Sequence, residues 1–127
     1  MKDIYRQLMW NEKITIYHRA NTVDASGKEQ TTWSMATYES SYWGHRFVWS
    51  TVDGAVVRTD AIVVRIPAGQ KPTVGLGDIV VKGEVNDVIN GSGSNIKNKY
   101  KDSCFEVVKV TDNTKLPNTA HWYLSDK

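Results

Sequence analysis

The sequence predicts an all-β domain, a small antiparallel barrel of about seven or eight short strands with long loops and at most short helical turns. Three observations predict it. Apolar and polar residues alternate over short runs, as on a half-buried strand. Clusters of Gly, Pro, Asn, Asp and Ser separate those runs. No long stretch carries a helical repeat of apolar residues. With 127 residues the chain fits one domain, 1–127, comprising an N-terminal arm (1–11) and a barrel (12–125). A domain of this length buries roughly two-thirds of its unfolded surface and needs no disulfide or metal to fold.

Met1 to Trp10 is a short amphipathic lead, with Ile4 and Leu8 on one side. From Lys13, Ile14, Ile16 and His18 alternate with Thr15, Tyr17 and Arg19, giving one apolar face and one mixed face. The turn formers from Asn21 to Lys28 close a loop, and Thr31 to Ala36 returns antiparallel. Tyr42 to Trp49 is a third strand, with Trp43, His45, Phe47 and Trp49 on one side and Gly44 marking a bend or a close backbone contact. Asp53-Gly54 signals a tight hairpin turn, followed by a strand that Pro67 ends.

A Gly/Pro loop then runs from Ala68 to Gly77, before a strand from Asp78 to Val85. Ser94 is placed to cap a short helix over Asn95–Tyr100. The apolar face switches within Cys104–Val110, which predicts a bulge, and His121–Leu124 is the last strand.

Composition excludes several functions. The net charge of +2, from 16 basic and 14 acidic residues, is too balanced for a dedicated nucleic-acid binder. The single cysteine, Cys104, can form no internal disulfide or thiolate zinc site; it fits a reducing cytosol and a buried apolar role. The N-terminus lacks a signal-peptide core and no apolar run is long enough to span a bilayer, so no membrane partner is expected.

No catalytic residues and no metal ligands emerge, and no cofactor is expected. His18, His45 and His121 sit on different strands without ligand spacing, and their expected role is packing with hydrogen bonds through the ring nitrogens. Asp24, Asp53, Asp78, Asp87 and Asp112 lie in or beside turns, where the carboxylate bonds the local backbone. No nucleophile elbow or phosphate loop is present. The five Trp and six Tyr, against two Phe, suit cores and subunit contacts. They leave open a sugar-stacking platform, the basis of an alternative reading as a carbohydrate-binding β-sandwich.

Read in order, several segments resemble the head-closure or stopper proteins of long-tailed phages, and the small head–tail connectors of phages and prophages of Gram-positive bacteria. They are Lys13–Tyr17, the aromatic strand Tyr42–Phe47, Asp60–Pro67, Gly77–Gly83, Lys99–Asp102 leading into Phe105–Asp112, and His121–Tyr123. The resemblance covers about residues 12–124, without one diagnostic motif.

It implies a virion protein made in the host cytoplasm. The subunit would assemble as a ring, commonly of twelve, between the portal or its adaptor and the tail terminator or tail tube. Such a ring retains double-stranded DNA, present only as channel contents, and docks the tail. The alternative within virion proteins is a tail-terminator or tail-completion ring. In the family, the segment matching Ser50, Thr51, Val52, Asp53, Gly54, Ala55, Val56 and Val57 reaches into the channel. Trp10, Trp43, Trp49, Trp122 and Tyr123 are the expected subunit or adaptor contacts.

Overall fold

A computed structural model of the chain describes residues 12–40 and 42–127. The expected N-terminal arm, with Trp10, lies outside them. The described residues form eight strands and one short helix: β1 (Glu12–Val23), β2 (Glu29–Ser40), β3 (Tyr42–Val52), β4 (Ala55–Pro67), β5 (Ile79–Lys82), α1 (Ser94–Lys99), β6 (Cys104–Glu106), β7 (Lys109–Asn113) and β8 (His121–Ser125). The all-β class holds. The closed barrel does not: the strands form two open four-stranded antiparallel sheets, ordered β2-β1-β5-β6 and β3-β4-β8-β7.

The reason lies at the corners. One sheet's edge strand β2 leads into the other's edge strand β3 across residue 41, and β6 leads into β7 across Val107 and Val108. Covalent chain therefore turns both corners, as in sandwiches whose strands switch sheets, but no described ladder closes them. This also corrects the expected bulge in Cys104–Val110. The apolar face switches there because the strand leaves one sheet for the other. Phe105 and Val107 are buried, whereas Val108 is exposed and its N–H donates to the Ser125 carbonyl at 2.9 Å.

The core lies between the sheets, where Ile14, Ile16 and Val80 meet Val64, Ile66, Leu124, Phe105 and Val107. Each such aliphatic side chain contributes roughly 1.5–3 kcal/mol by leaving water. The face of β1 expected to be mixed is buried as well. Tyr17 packs with Ile79, Val81, Ile96 and Cys104 in a second cluster. The segment between β5 and β6 carries α1 and Ile96, and so covers the outer side of that sheet.

Polar groups in the second layer find partners. Thr15 Oγ1 donates to the Gly83 carbonyl (2.9 Å) and accepts the Val85 N–H (3.1 Å). Tyr17 donates to the Asp87 carbonyl (2.7 Å). Gly83 donates its N–H to the Lys13 carbonyl with φ 94°, ending β5 at Lys82 instead of the expected Val85. At α1 the N-cap is Gly93, in the left-handed region, and Ser94 is the first helical residue. A Cβ at position 93 would press on Ile79 and Ile89, so glycine is required twice over.

The first four strands are not short. They run 12, 12, 11 and 13 residues, against four and three for β5 and β6. At about 3.3 Å per residue, β5 spans roughly 13 Å while β3 and β4 span roughly 36–43 Å. Both hairpins must overhang the part of the molecule where two sheets face each other.

Candidate functional site

The overhang of β3–β4 is the most exposed apolar feature described. Asp53 (φ 51°) and Gly54 (φ 80°) occupy a two-residue turn with positive φ at both central positions, the conformation that matches strand twist and favours Asp-Gly. Val52 pairs with Ala55, and the register continues through Trp49↔Arg58 and Phe47↔Asp60 to Trp43↔Val64. On one side the face begins in the core with Val64 and the half-buried Trp43 and Ile62. It continues outward through Phe47, Trp49 and Val56, with no strand of the other sheet described over it. Phe47 is 53% exposed, Trp49 66% and Val56 71%. Val52 and Val57 are exposed on the opposite face. An apolar hairpin exposed on both faces, among the described residues, is unusual for a surface element.

Apart from the tip, charge is confined to its base. From Phe47 to Val57 the one charged residue is Asp53, at the tip. Behind the tip the Arg58 guanidinium lies 3.4 Å from the centre of the Phe47 ring, a cation–π contact that holds both side chains. The C-terminus clamps the base. Asp126 accepts the Ile62 N–H (2.8 Å), and Lys127 Nζ donates to the Asp60 carbonyl (2.7 Å). Gly44 makes the close approach its position suggests, since a Cβ there would run into the Tyr42 ring on the same face.

All eight residues of the expected channel segment, Ser50–Val57, sit at this tip and are exposed. The expected contact residues are not gathered there. Trp49 belongs to the arm, but Trp43 is half-buried and meets Phe105 at 5.4 Å between ring centres. Trp122 packs against the core, and its buried Nε1 has no hydrogen-bond partner among the described residues. Tyr123 lies on the outer face of its sheet, where its hydroxyl accepts from Arg46 (3.3 Å). Trp33, on the other sheet, donates to the Gly91 carbonyl at 2.9 Å. The described tryptophans therefore line no common platform for a sugar. Sequence reading put Phe47 and Trp49 on one strand side with Trp43, without showing where along that side burial ends. The signal it missed is length, since the strands beside Asp53-Gly54 are too long for any facing strand to cover.

The polar clusters elsewhere are structural. Asp78 is buried and accepts from His18 Nδ1 (2.7 Å), the Arg19 N–H (2.9 Å) and the Gly75 N–H (2.7 Å), pinning the turn before β5 to β1. Ser34 is the cross-strand partner of His18, and among the described residues no hydrogen bond joins them. His121 donates from Nδ1 to the Thr119 carbonyl, leaving Nε2 to accept from Asn113 (3.3 Å). His45 is exposed.

Asp24 and Asp112 bond local turn groups as expected, and the hydroxyls of Ser26 and Thr114 hold their carboxyls below the usual range. Asp87 departs from that pattern. Its carboxylate takes the Tyr100 hydroxyl and Lys99 Nζ (3.0 Å), which hold its carboxyl low. Burial pushes the Cys104 thiol up, which suits a packing residue. Among the described residues, no group of three or more His, Cys, Asp or Glu could hold a metal ion. No helix among them is long and apolar enough to cross a membrane.

What these features define is an all-β, two-sheet protein whose most prominent surface element is a projecting apolar hairpin. The chain belongs to a family of unknown function, DUF6751, whose model matches residues 9–127. No match was found among curated proteins or among solved structures.

Proposed function

We propose that this chain is a structural subunit of a phage particle, part of the ring that joins the head to the tail, retains packaged DNA and offers the tail a docking surface. The observation that carries this reading is the β3–β4 arm. The segment that the stopper resemblance assigns to the channel, Ser50–Val57, forms the tip of a hairpin that overhangs the core and is exposed on both faces. Repeated around a ring, such arms can converge on an axis and narrow it. Asp53 is the tip's sole charge, and a tip without cations does not bind phosphates, so DNA is stopped sterically and later slides past.

The two sheets with chain-turned corners are then an opened form of the small barrel that the resemblance implies. Ring neighbours, the portal or adaptor above and the tail terminator or tube below would be the partners, and the location would be the virion. Deleting the gene from the phage or prophage that encodes the chain tests this. Full-length heads that lose DNA and carry no tails are the expected result. Tails of uncontrolled length point to the tail-terminator alternative, and normal infectious particles contradict both.

A further inference from the structure

We infer that the free edge of β3 is a self-pairing surface, on which the β3 edge of a second copy of this chain docks antiparallel about a two-fold axis at Phe47. The backbone specifies the kind of occupant. In a two-residue hairpin the residues flanking the turn exchange both hydrogen bonds, and alternate pairs do so along the ladder. Val52↔Ala55 is such a pair, so Ser50, Arg46 and Gly44 also turn their N–H and C=O groups to β4. His45, Phe47, Trp49 and Thr51 turn theirs outward, and β3 pairs with β4 alone among the described residues. A row of outward donors and acceptors is satisfied by an extended strand.

The side chains specify which strand. Proteins blunt long free edges with Lys, Pro or bulges, and β3 has none of these. Its occupant must bring apolar groups to the face that carries Phe47 and Trp49. The chain's other long edge, β2, reads Gln-Thr-Thr-Trp-Ser-Met-Ala-Thr-Tyr between two glutamates, and Gln70 already caps it at Glu39. Edges β6 and β7 are three and five residues long. β3 itself has the required character.

Centred on Phe47, a two-fold pairing sets Trp49 opposite His45, Thr51 opposite Trp43, and Phe47 opposite Phe47 of the second copy. The strand's one charge, Arg46, falls opposite position 48 and not opposite another Arg46. Charge therefore permits this register and disfavours the neighbouring one centred on Arg46. A two-fold contact is not the head-to-tail contact of a ring, so this inference stands apart from the connector reading.

Sedimentation of the full chain over a range of concentrations tests it, together with oxidative cross-linking of Phe47→Cys. Directly paired positions have Cα atoms about 5.5 Å apart, within disulfide reach. Cys104 is buried and does not compete. The expected result is a dimer, with F47C cross-linking fully and Ser50→Cys, which faces position 44, failing to do so. Trp49→Lys, which leaves the hairpin bonds to β4 in place, should return the protein to monomer with an unchanged circular dichroism spectrum. A wild-type monomer at every concentration, a dimer that survives Trp49→Lys, or equal cross-linking at positions 47 and 50 would each overturn the inference. None of these outcomes bears on particles lacking the gene.

Discussion

Asp87 shows how one carboxylate organises a layer. Its backbone carbonyl accepts from Tyr17 on β1, while its side chain takes Tyr100 and Lys99 beside α1. The Tyr100 hydroxyl, then Lys99, holds the carboxyl below its ordinary value of 3.8. A depressed folded pKa means stability that is present above the ordinary value and is lost as pH falls through the folded one. Asp87→Asn should therefore lower stability at neutral pH and flatten its fall in acid, as read by urea unfolding across that range. Cys104 gives a second residue-scale check. Buried and with its thiol pushed up, it should react with a thiol reagent slowly in the native protein and rapidly in urea. At the arm's tip, Asp53→Lys places a cation where the connector reading puts DNA, and should slow DNA ejection from particles.

At the scale of elements, the alternation of Ile14, Ile16, Ile62, Val64 and Ile66 made strands legible, and Asp53-Gly54 made the hairpin turn legible. What could not be read was where each strand stops being covered. Periodicity places Phe47 on the same side as Trp43, but whether a facing strand reaches that far depends on β5 and β6, which end early at Lys82 and Glu106. The sheet switch at Val107–Val108 was visible only as a change of face, which a bulge produces equally well. Likewise His18 read as an apolar-face residue because its partner, Asp78, lies 60 positions away. Glycines test the element assignments. Gly93→Ala forces a Cβ into Ile79 at positive φ and should cost about 1–3 kcal/mol of global stability. Gly54→Ala also strains a positive φ, but in open space at the arm's tip. It should speed amide exchange in the arm and leave the global denaturation midpoint unchanged.

For the whole molecule, the buried core and the exposed apolar arm are separate regions. The core between the sheets holds the fold, and Ile16→Ala should cost about 2–5 kcal/mol in chemical denaturation. The β3–β4 arm adds exposed apolar surface that the fold does not need. That division permits a direct test. Replacing residues 47–60 with Asn-Gly joins Arg46 to Ala61, partners in the existing ladder, through the same kind of two-residue turn. The shortened chain should unfold at nearly the wild-type denaturant midpoint. Retention of packaged DNA by particles carrying it is the decisive measurement. Folded, incorporated subunits with heads that leak their DNA are the result expected if the arm closes the channel, and DNA retention equal to wild type would contradict it.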